Sequence, residues 1–180
     1  MYYLGQLCGL IGTGITVLRP QMRKRTHMLL CTVFINAFNG MNFLLIGQGG
    51  ASAILCFVAI LQALAAIAHE RRQTAFSRPE NLLFFLLYLG LGIYGMLQTE
   101  GFVWALTWHN ALELLPVVGA LMLMLSVFAR GEQQARVFLL LNGMSWLVYT
   151  AVVGAAVFFS SVISVVSSAI ALWKYRKAKI

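Results

Sequence analysis

The chain contains no aspartate, and four of its five glutamates lie in loops or at the ends of predicted helices. It therefore offers no pair of carboxylates for acid–base catalysis or for holding a divalent metal ion. The three histidines lie on different segments, and no HExxH, GxSxG or glycine-rich phosphate loop is present. These absences predict a protein that is not an enzyme and that has no cofactor and no metal site.

Cysteine and charge are also scarce. Cys8, Cys31 and Cys56 form no CxxC pair and fall within apolar stretches, so we expect buried free thiols rather than a disulfide or a metal site. Only 10% of the residues are charged, whereas 61% are hydrophobic and the mean hydropathy is +0.84. A soluble domain of this size would need a more polar surface.

Long apolar runs take the place of that polar surface. They are long enough to cross a bilayer core of about 30 Å as helices, the conformation that satisfies backbone hydrogen bonds within the segment. The sequence predicts an all-α polytopic membrane protein with seven transmembrane helices. The predicted spans are about 2–18, 28–47, 51–69, 81–98, 110–129, 136–153 and 155–173.

The basic residues indicate how this bundle is oriented. With seven spans, all 13 Lys and Arg residues fall on one side of the membrane. Cytoplasmic loops carry the excess of Lys and Arg, so the sequence predicts the N-terminus outside and the C-terminus in the cytoplasm. Because these charges lie at helix ends, as topology signals do, the net charge of +8 is not attributed to nucleic-acid binding.

An internal repeat organises the chain around residues 39–68. Shifted by 103 positions, this stretch aligns with residues 142–171 with 9 identities in 30 positions, among them Asn39-Gly40-Met41 on Asn142-Gly143-Met144. A repeat of this length predicts a duplicated helical unit. We expect a 3+1+3 arrangement with both repeats in the same orientation. Its parts are a first triple-helix repeat at 1–78, a linker helix at 79–101 and a second triple-helix repeat at 102–180.

Spans two and six are unusually polar for membrane helices, and their polar residues share one face of each helix. Amides in hydrocarbon need hydrogen-bond partners, so both faces should point into the bundle. Span three adds Gln62, and span seven adds Ser164 from a stripe of serines. The predicted substrate-binding residues are Asn39, Asn42, Gln62, Asn142, Ser145, Trp146, Tyr149 and Ser164.

Two interpretations of these residues remain open. In one, the amides of Asn39 and Asn142 and rings such as Trp146 line a pocket for a polar organic ligand. In the other, the asparagines only form hydrogen bonds between helices and hold the bundle together. A pocket variant should stay folded and lose its response to ligand, whereas a structural variant should lose thermal stability.

Candidate hinge and proton-coupling residues lie at helix ends and in span five. Pro20 either stops span one or acts as a hinge for one half of the bundle, and Pro116 is a second hinge candidate. Glu113 and His109 are candidates for proton coupling, although an interfacial carboxylate is the simpler interpretation of Glu113. The stretch Ser77-Arg78-Pro79-Glu80 predicts a capping box that starts span four.

The repeat and several short motifs resemble known families. Gly50-Ala51-Ser52-Ala53-Ile54-Leu55 and Glu113-Leu114-Leu115-Pro116-Val117, with Gln6 and Gly9, are similar to the YgjV family of bacterial inner membrane proteins. Pro20-Gln21 resembles the dipeptide of the SWEET and PQ-loop transporters. The resemblance covers nearly the whole chain and implies a multi-pass protein of the bacterial inner membrane, built from two half-carriers around a cavity with alternating access. Sugar transporters of that clan place an asparagine on the third helix of each repeat, whereas here the repeated asparagines lie on the second.

These features together predict a facilitator of a small neutral organic solute, such as a sugar, nucleoside or vitamin-like compound, because the spans carry little charge. The alternative is a non-transporting binding or assembly protein of the inner membrane whose asparagines are structural. The expected partners are the lipid bilayer and a small-molecule substrate, without nucleic acid, and a homo-oligomer is left open.

Overall fold

The protein is all-helical in the residues that a computed structural model describes, which are 2–46, 50–97, 108–129, 131–153 and 158–175. This confirms the all-α prediction for that part of the chain. The helices are α1 (Tyr2–Leu18), α2 (Arg25–Ile46), α3 (Gly50–Arg71), α4 (Arg78–Leu97), α5 (Trp108–Phe128), α6 (Glu132–Val153) and α7 (Phe158–Lys174), and a 3-10 turn, η1 (Arg19–Gln21), follows α1.

Helix boundaries lie within four residues of the predicted spans, and the largest differences are at N-termini, including that of α4, which begins at Arg78 rather than at about 81. The predicted start of about 28 for span two is late, because α2 begins at Arg25, and the predicted start of 136 for span six is late, because α6 begins at Glu132. Hydropathy detects only the apolar part of a helix, whereas backbone hydrogen bonding continues into the charged turn before it. In α6, Glu132 of that first turn also interacts favourably with the positive end of the helix dipole.

All described Lys and Arg side chains belong to one end of the bundle. Hydrogen bonds join the start of α2 to the ends of α3 and α5, the start of α6 to η1 and to the end of α7, and the end of α3 to the start of α4. Consecutive helices therefore run in opposite directions. The described basic residues lie in the terminal turns and loops at this end, which is called the basic end below.

The helices pack in two sets of three. In the first half, α2 lies between α1 and α3, and in the second half, α6 lies between α5 and α7. The halves meet where α1 contacts α7 and where α3 contacts α5, and α4 packs beside α3 and α5. The two contacts are equivalent in the two halves, because α5 corresponds to α1 and α7 corresponds to α3.

The outer surface of the bundle is apolar. On α4, for example, Leu82, Leu83 and Leu86 are all more than half exposed, whereas Tyr88 is buried against α3 and α5. Among the described residues, Ala53–Arg71 is long and apolar enough to cross a membrane by itself, and the apolar helices Leu114–Phe128 and Ser161–Lys174 are shorter. The described surface thus has the character expected of a face in contact with lipid.

The predicted capping box at the start of α4 is confirmed. The backbone N–H and the hydroxyl of Ser77 both donate to Glu80 Oε2 at 2.7 Å, and the Glu80 N–H donates to Ser77 Oγ at 3.4 Å. The bonds from Ser77 lower the pKa of the Glu80 carboxyl. Because the folded-state pKa is lowered, the capping box stabilises the fold above the ordinary pKa of glutamate, and this contribution disappears as the pH falls through the lowered value.

Gln73 ends α3 in a backbone conformation that favours glycine. Its φ is 54°, and the N–H groups of Gln73 and Thr74 donate to the carbonyls of Glu70 and His69, as in a Schellman motif. Replacing Gln73 with glycine should relieve the left-handed strain and raise the stability by about 1 kcal/mol, or ~2–4 °C in Tm. Thermal unfolding of the detergent-purified protein measures this shift. Gln73→Ala is the control, since it removes the side chain but keeps the strain, and an equal gain in that variant would contradict the explanation.

Candidate functional site

The asparagines of α2 pack against glycines of α1. A Cβ added at Gly12 would lie 2.7 Å from Asn39 Oδ1, and a Cβ added at Gly9 would overlap Asn42 Nδ2. Asn36, one turn earlier, is buried and donates from Nδ2 to the Thr32 carbonyl at 2.8 Å. Asn39 and Asn42 therefore lie in the interface between α1 and α2, at positions where only a glycine leaves room for the amide.

Gly12→Ala should lower the stability by about 1–2 kcal/mol, because Asn39 must move away from the new methyl group. The same substitution at Gly14 should not, since a Cβ there meets no atom within 4 Å. Thermal unfolding of Gly12→Ala, Asn39→Ala and the double variant separates the contact from helix propensity. If Gly12→Ala lowered the stability of the wild type and of the Asn39→Ala variant equally, this packing would be contradicted.

The residues on α6 form a polar and aromatic cluster against α5. A Cβ added at Gly119 of α5 would lie 3.0 Å from Trp146 Nε1 and 3.4 Å from Asn142 Oδ1. The rings of Trp146 and Tyr149 meet edge to face, with centroids 6.0 Å apart and an interplanar angle of 85°. Asn142 is 9% exposed, and its Oδ1 is buried without a hydrogen-bond partner. The cluster thus contains a buried acceptor next to a flat aromatic surface.

The two halves share one contact of the same kind. In the first half, the Asn39 amide rests against Gly12 of α1, and in the second half, the Asn142 amide rests against Gly119 of α5. Asn39 and Asn142 are also the residues that the shift of 103 aligns. In both halves, the first helix presents a glycine where the second helix presents this amide.

Gln62 lies elsewhere, at the junction of α3, α4 and α5. Its side chain is fully buried, Nε2 donates to the Met124 carbonyl at 3.3 Å, and Oε1 accepts from the Tyr88 hydroxyl at 3.0 Å. Both ends of the amide thus have partners in the protein, and these bonds tie α3 to both neighbouring helices. Gln62 as a substrate-binding residue stays a prediction.

The two predicted serines lie on different surfaces of the second half. Ser145 Oγ donates to the Leu141 carbonyl of its own helix at 3.1 Å, a bond that serines within helices commonly form. Ser164 is buried, and its Oγ would lie 3.5 Å from a Cβ added at Gly143. Ser164 therefore helps α7 to approach α6 closely.

The hinge candidates lie in contrasting surroundings. Pro20 is fully buried inside η1, and its neighbour Arg19 is 4% exposed, so burial lowers the pKa of the Arg19 guanidinium to about 10. Pro116 lies inside α5. Glu113 and His109 fall within α5 as well, but their side chains lie outside the described set, and their proton-coupling role stays a prediction.

Comparison with known proteins identifies the family. A family model described as Imp-YgjV, bacterial inner membrane protein, matches residues 3–179. The chain belongs to the Imp-YgjV family. This confirms the resemblance to YgjV proteins, whereas the relation to SWEET and PQ-loop transporters stays a prediction. Searches of curated proteins and of solved structures gave no significant match.

Sequence reasoning missed a polar network at the basic end of this Imp-YgjV protein. Arg136 of α6 donates from Nε to the Pro20 carbonyl at 3.1 Å and from Nη2 to the Met22 carbonyl at 2.9 Å. Its guanidinium lies 4.4 Å from the centre of the Tyr175 ring, and the Tyr175 hydroxyl donates to the Gln21 carbonyl at 3.0 Å. The turn after α1 is thus held by Arg136 of α6 and by Tyr175, which follows α7.

Gln21 strengthens the same junction. Its Nε2 donates to the Ser167 carbonyl at 2.9 Å, and the Ser167 hydroxyl donates to the Val17 carbonyl of α1 at 2.7 Å. The Pro20-Gln21 dipeptide therefore lies in the contact between the two halves rather than in a free loop.

Arg25 of α2 forms a second connection between the two halves. Nη1 binds Glu70 Oε2 at 2.8 Å, and Nη2 donates to the Val127 carbonyl of α5 at 2.6 Å. A cleft of about 460 Å³ adjoins this pair and is also lined by His69, Phe76 and Phe128.

The sequence carries only a faint signal for these roles. Glu132 and Arg136 stand four residues apart at the start of α6, a spacing that places them on one helix face, but it identifies no partner in the other half. From sequence alone, the arginines are interpreted as topology signals, and that interpretation accounts for them without any contact.

Proposed function

We propose that this protein is a multi-pass carrier of the bacterial inner membrane that binds a small neutral organic solute and moves it by alternating access between its two halves. It has no catalytic role in this proposal. The N-terminus is outside, and the basic end faces the cytoplasm. The observation that carries the proposal is the buried Asn142 Oδ1 without a hydrogen-bond partner, next to the Trp146 and Tyr149 rings.

A buried acceptor without a partner costs about 1–3 kcal/mol relative to one that is hydrogen-bonded. Such a cost is tolerated at sites where a ligand supplies the missing donor. A solute hydroxyl or N–H near Asn142 would supply it, and the Trp146 ring offers a flat surface for an apolar face of the same solute. The described charged side chains lie toward the basic end, so a neutral solute suits the cluster on α6 best.

The packing of the helices supports movement between halves. Each half is a contiguous set of three helices, and the helices of the two halves approach each other where α1 meets α7 and where α3 meets α5. Near the basic end, Met28 of α2 also packs with Ala135 and Leu139 of α6. The contact of α1 with α7 corresponds to the contact of α5 with α3, as expected for two parallel repeats related by an axis along the membrane normal. Placing the basic end in the cytoplasm agrees with the positive-inside rule.

A second candidate function is favoured by the first half. There, Asn39 and Asn42 fit against the glycines of α1, and Gln62 is satisfied within the protein. Amides used in this way hold helices together. If Asn142 has the same task, the protein is a non-transporting binding or assembly partner in the membrane.

Thermal unfolding of the detergent-purified protein, measured against a panel of sugars, nucleosides and vitamins, tests the proposal. A solute present at about 100 times its Kd should stabilise the protein by roughly 2.7 kcal/mol, and a positive solute should then enter proteoliposomes that contain the protein. Stabilisation without uptake would leave a binding protein. A panel without any stabilising solute would favour the assembly role.

A further inference from the structure

Arg25 and Arg136 make similar contacts in the two halves, although the shift of 103 positions does not align them. Each belongs to the opening turns of the second helix of its half, and each donates to backbone carbonyls at the end of the other half's first helix. Arg25 binds the Val127 carbonyl of α5, and Arg136 binds the Pro20 and Met22 carbonyls after α1. Carbonyls at helix C-termini lack partners within the helix, so they are natural acceptors for such cations. These bonds exist only while the two halves are close at the basic end.

Each arginine also has a carboxylate partner within its own half. Arg25 is paired with Glu70 at 2.8 Å, and Arg136 lies 3.4 Å from Glu132 and 3.2 Å from Gln133 Oε1. A guanidinium that leaves the other half therefore keeps a partner of opposite charge. Separating a buried charge from every partner is expensive, and this arrangement avoids that cost when the halves move apart.

We propose that Arg25 and Arg136 are paired latches that hold the basic end of the bundle closed and that release the other half's carbonyls when this end opens. The inference rests on the proposed alternating-access function and names the residues that control one of its two gates. It also assigns the structure to the state that is closed at the basic end. The Tyr175 hydroxyl on Gln21 and the Gln21 amide on Ser167 reinforce the latch of Arg136.

Distances across the basic end test the latches without a known substrate. Spin labels are placed on Arg72→Cys and Gln134→Cys, two exposed positions in different halves, after the three native cysteines are replaced. Double electron–electron resonance in nanodiscs then gives the distribution of distances between the labels. The test variant is Arg25→Lys with Arg136→Lys, which keeps both charges but cannot reproduce the forked hydrogen bonds.

Each lysine should raise the ratio of open to closed molecules about tenfold, because one charge-assisted bond between the halves is lost. The double variant should therefore show a long-distance population about a hundredfold larger relative to the closed one. Arg71→Lys is the matched control, since Arg71 is exposed at the same end, and it should leave the distribution unchanged. If the double variant does not fold, each single variant is compared with the control.

An unchanged distribution in a folded Arg25→Lys or Arg136→Lys protein would overturn the latches and leave both arginines as fixed structural ties. This result is distinguishable from a failure of the transport proposal. If the latch variants show longer distances but no solute of the panel stabilises the protein, the latches are supported and the proposed solute carrier is rejected. A bound and transported solute with unchanged distances would reject the latches alone.

Discussion

Gln62→Met is expected to destabilise the protein by about 2 kcal/mol, although methionine nearly fills the same volume. The Tyr88 hydroxyl is buried at 1% exposure and would lose its acceptor, Gln62 Oε1. A buried polar group left without a partner costs about 1–3 kcal/mol. Gln62→Ala should cost more, about 3–4 kcal/mol, because a cavity is added at the junction of α3, α4 and α5. Thermal unfolding in detergent compares these variants.

A double variant tests whether the hydrogen bond between Tyr88 and Gln62 causes this loss of stability. Tyr88→Phe combined with Gln62→Met replaces both polar partners with apolar groups of similar shape, and such a replacement is close to neutral. The double variant should therefore recover most of the stability that Gln62→Met loses. A loss equal to the sum of the two single losses would show that the Tyr88–Gln62 bond does not couple these residues.

Asn142→Ala is expected to abolish stabilisation by the solute and to lower uptake by about 10–100-fold. The expected factor corresponds to one hydrogen bond between the solute and a buried acceptor, about 1–3 kcal/mol. The variant without solute should stay within about 1 kcal/mol of the wild type, since Asn142 Oδ1 has no partner to lose. Solute-dependent Tm and proteoliposome uptake are the two measurements.

Met144→Ala is the matched control on the same helix. Its side chain is 49% exposed, so this substitution should change neither uptake nor Tm strongly. A Gly119→Ala variant extends the test, because the added methyl group would press on the Trp146 indole at 3.0 Å. It should weaken the solute response as well. A strongly destabilised Asn142→Ala with an unaltered solute response would reject the site and support the structural role of the asparagine.

The helices were predictable from sequence because each carries a long apolar run and recognisable ends. The capping box of Ser77 and Glu80 is a local pattern, and its three hydrogen bonds follow from residues only three positions apart. The polar face of α6 was predictable for the same reason, since Asn142, Trp146 and Tyr149 repeat at helical spacing.

Partners across the bundle were not predictable in the same way. Gln62 was assigned to a pocket, but its hydrogen-bond partners lie within the protein: the donor is the Tyr88 hydroxyl of α4, and the acceptor is the Met124 carbonyl of α5. Hydropathy shows that α4 exists but not which face it turns toward α3. The match of Asn39 with Gly12 had a visible signal, a run of glycines along α1, although the register between α1 and α2 selects which glycine meets which amide.

During synthesis, Gln62 leaves the ribosome before either of its hydrogen-bond partners. Tyr88 follows 26 residues later and Met124 62 residues later. A chain cut after α3 would leave this amide to find water or another helix, and one cut after α4 would satisfy only its oxygen. The first half is thus complete in sequence before its most buried amide is satisfied. Both ends of the Gln62 amide therefore have their partners only after α5 has been synthesised.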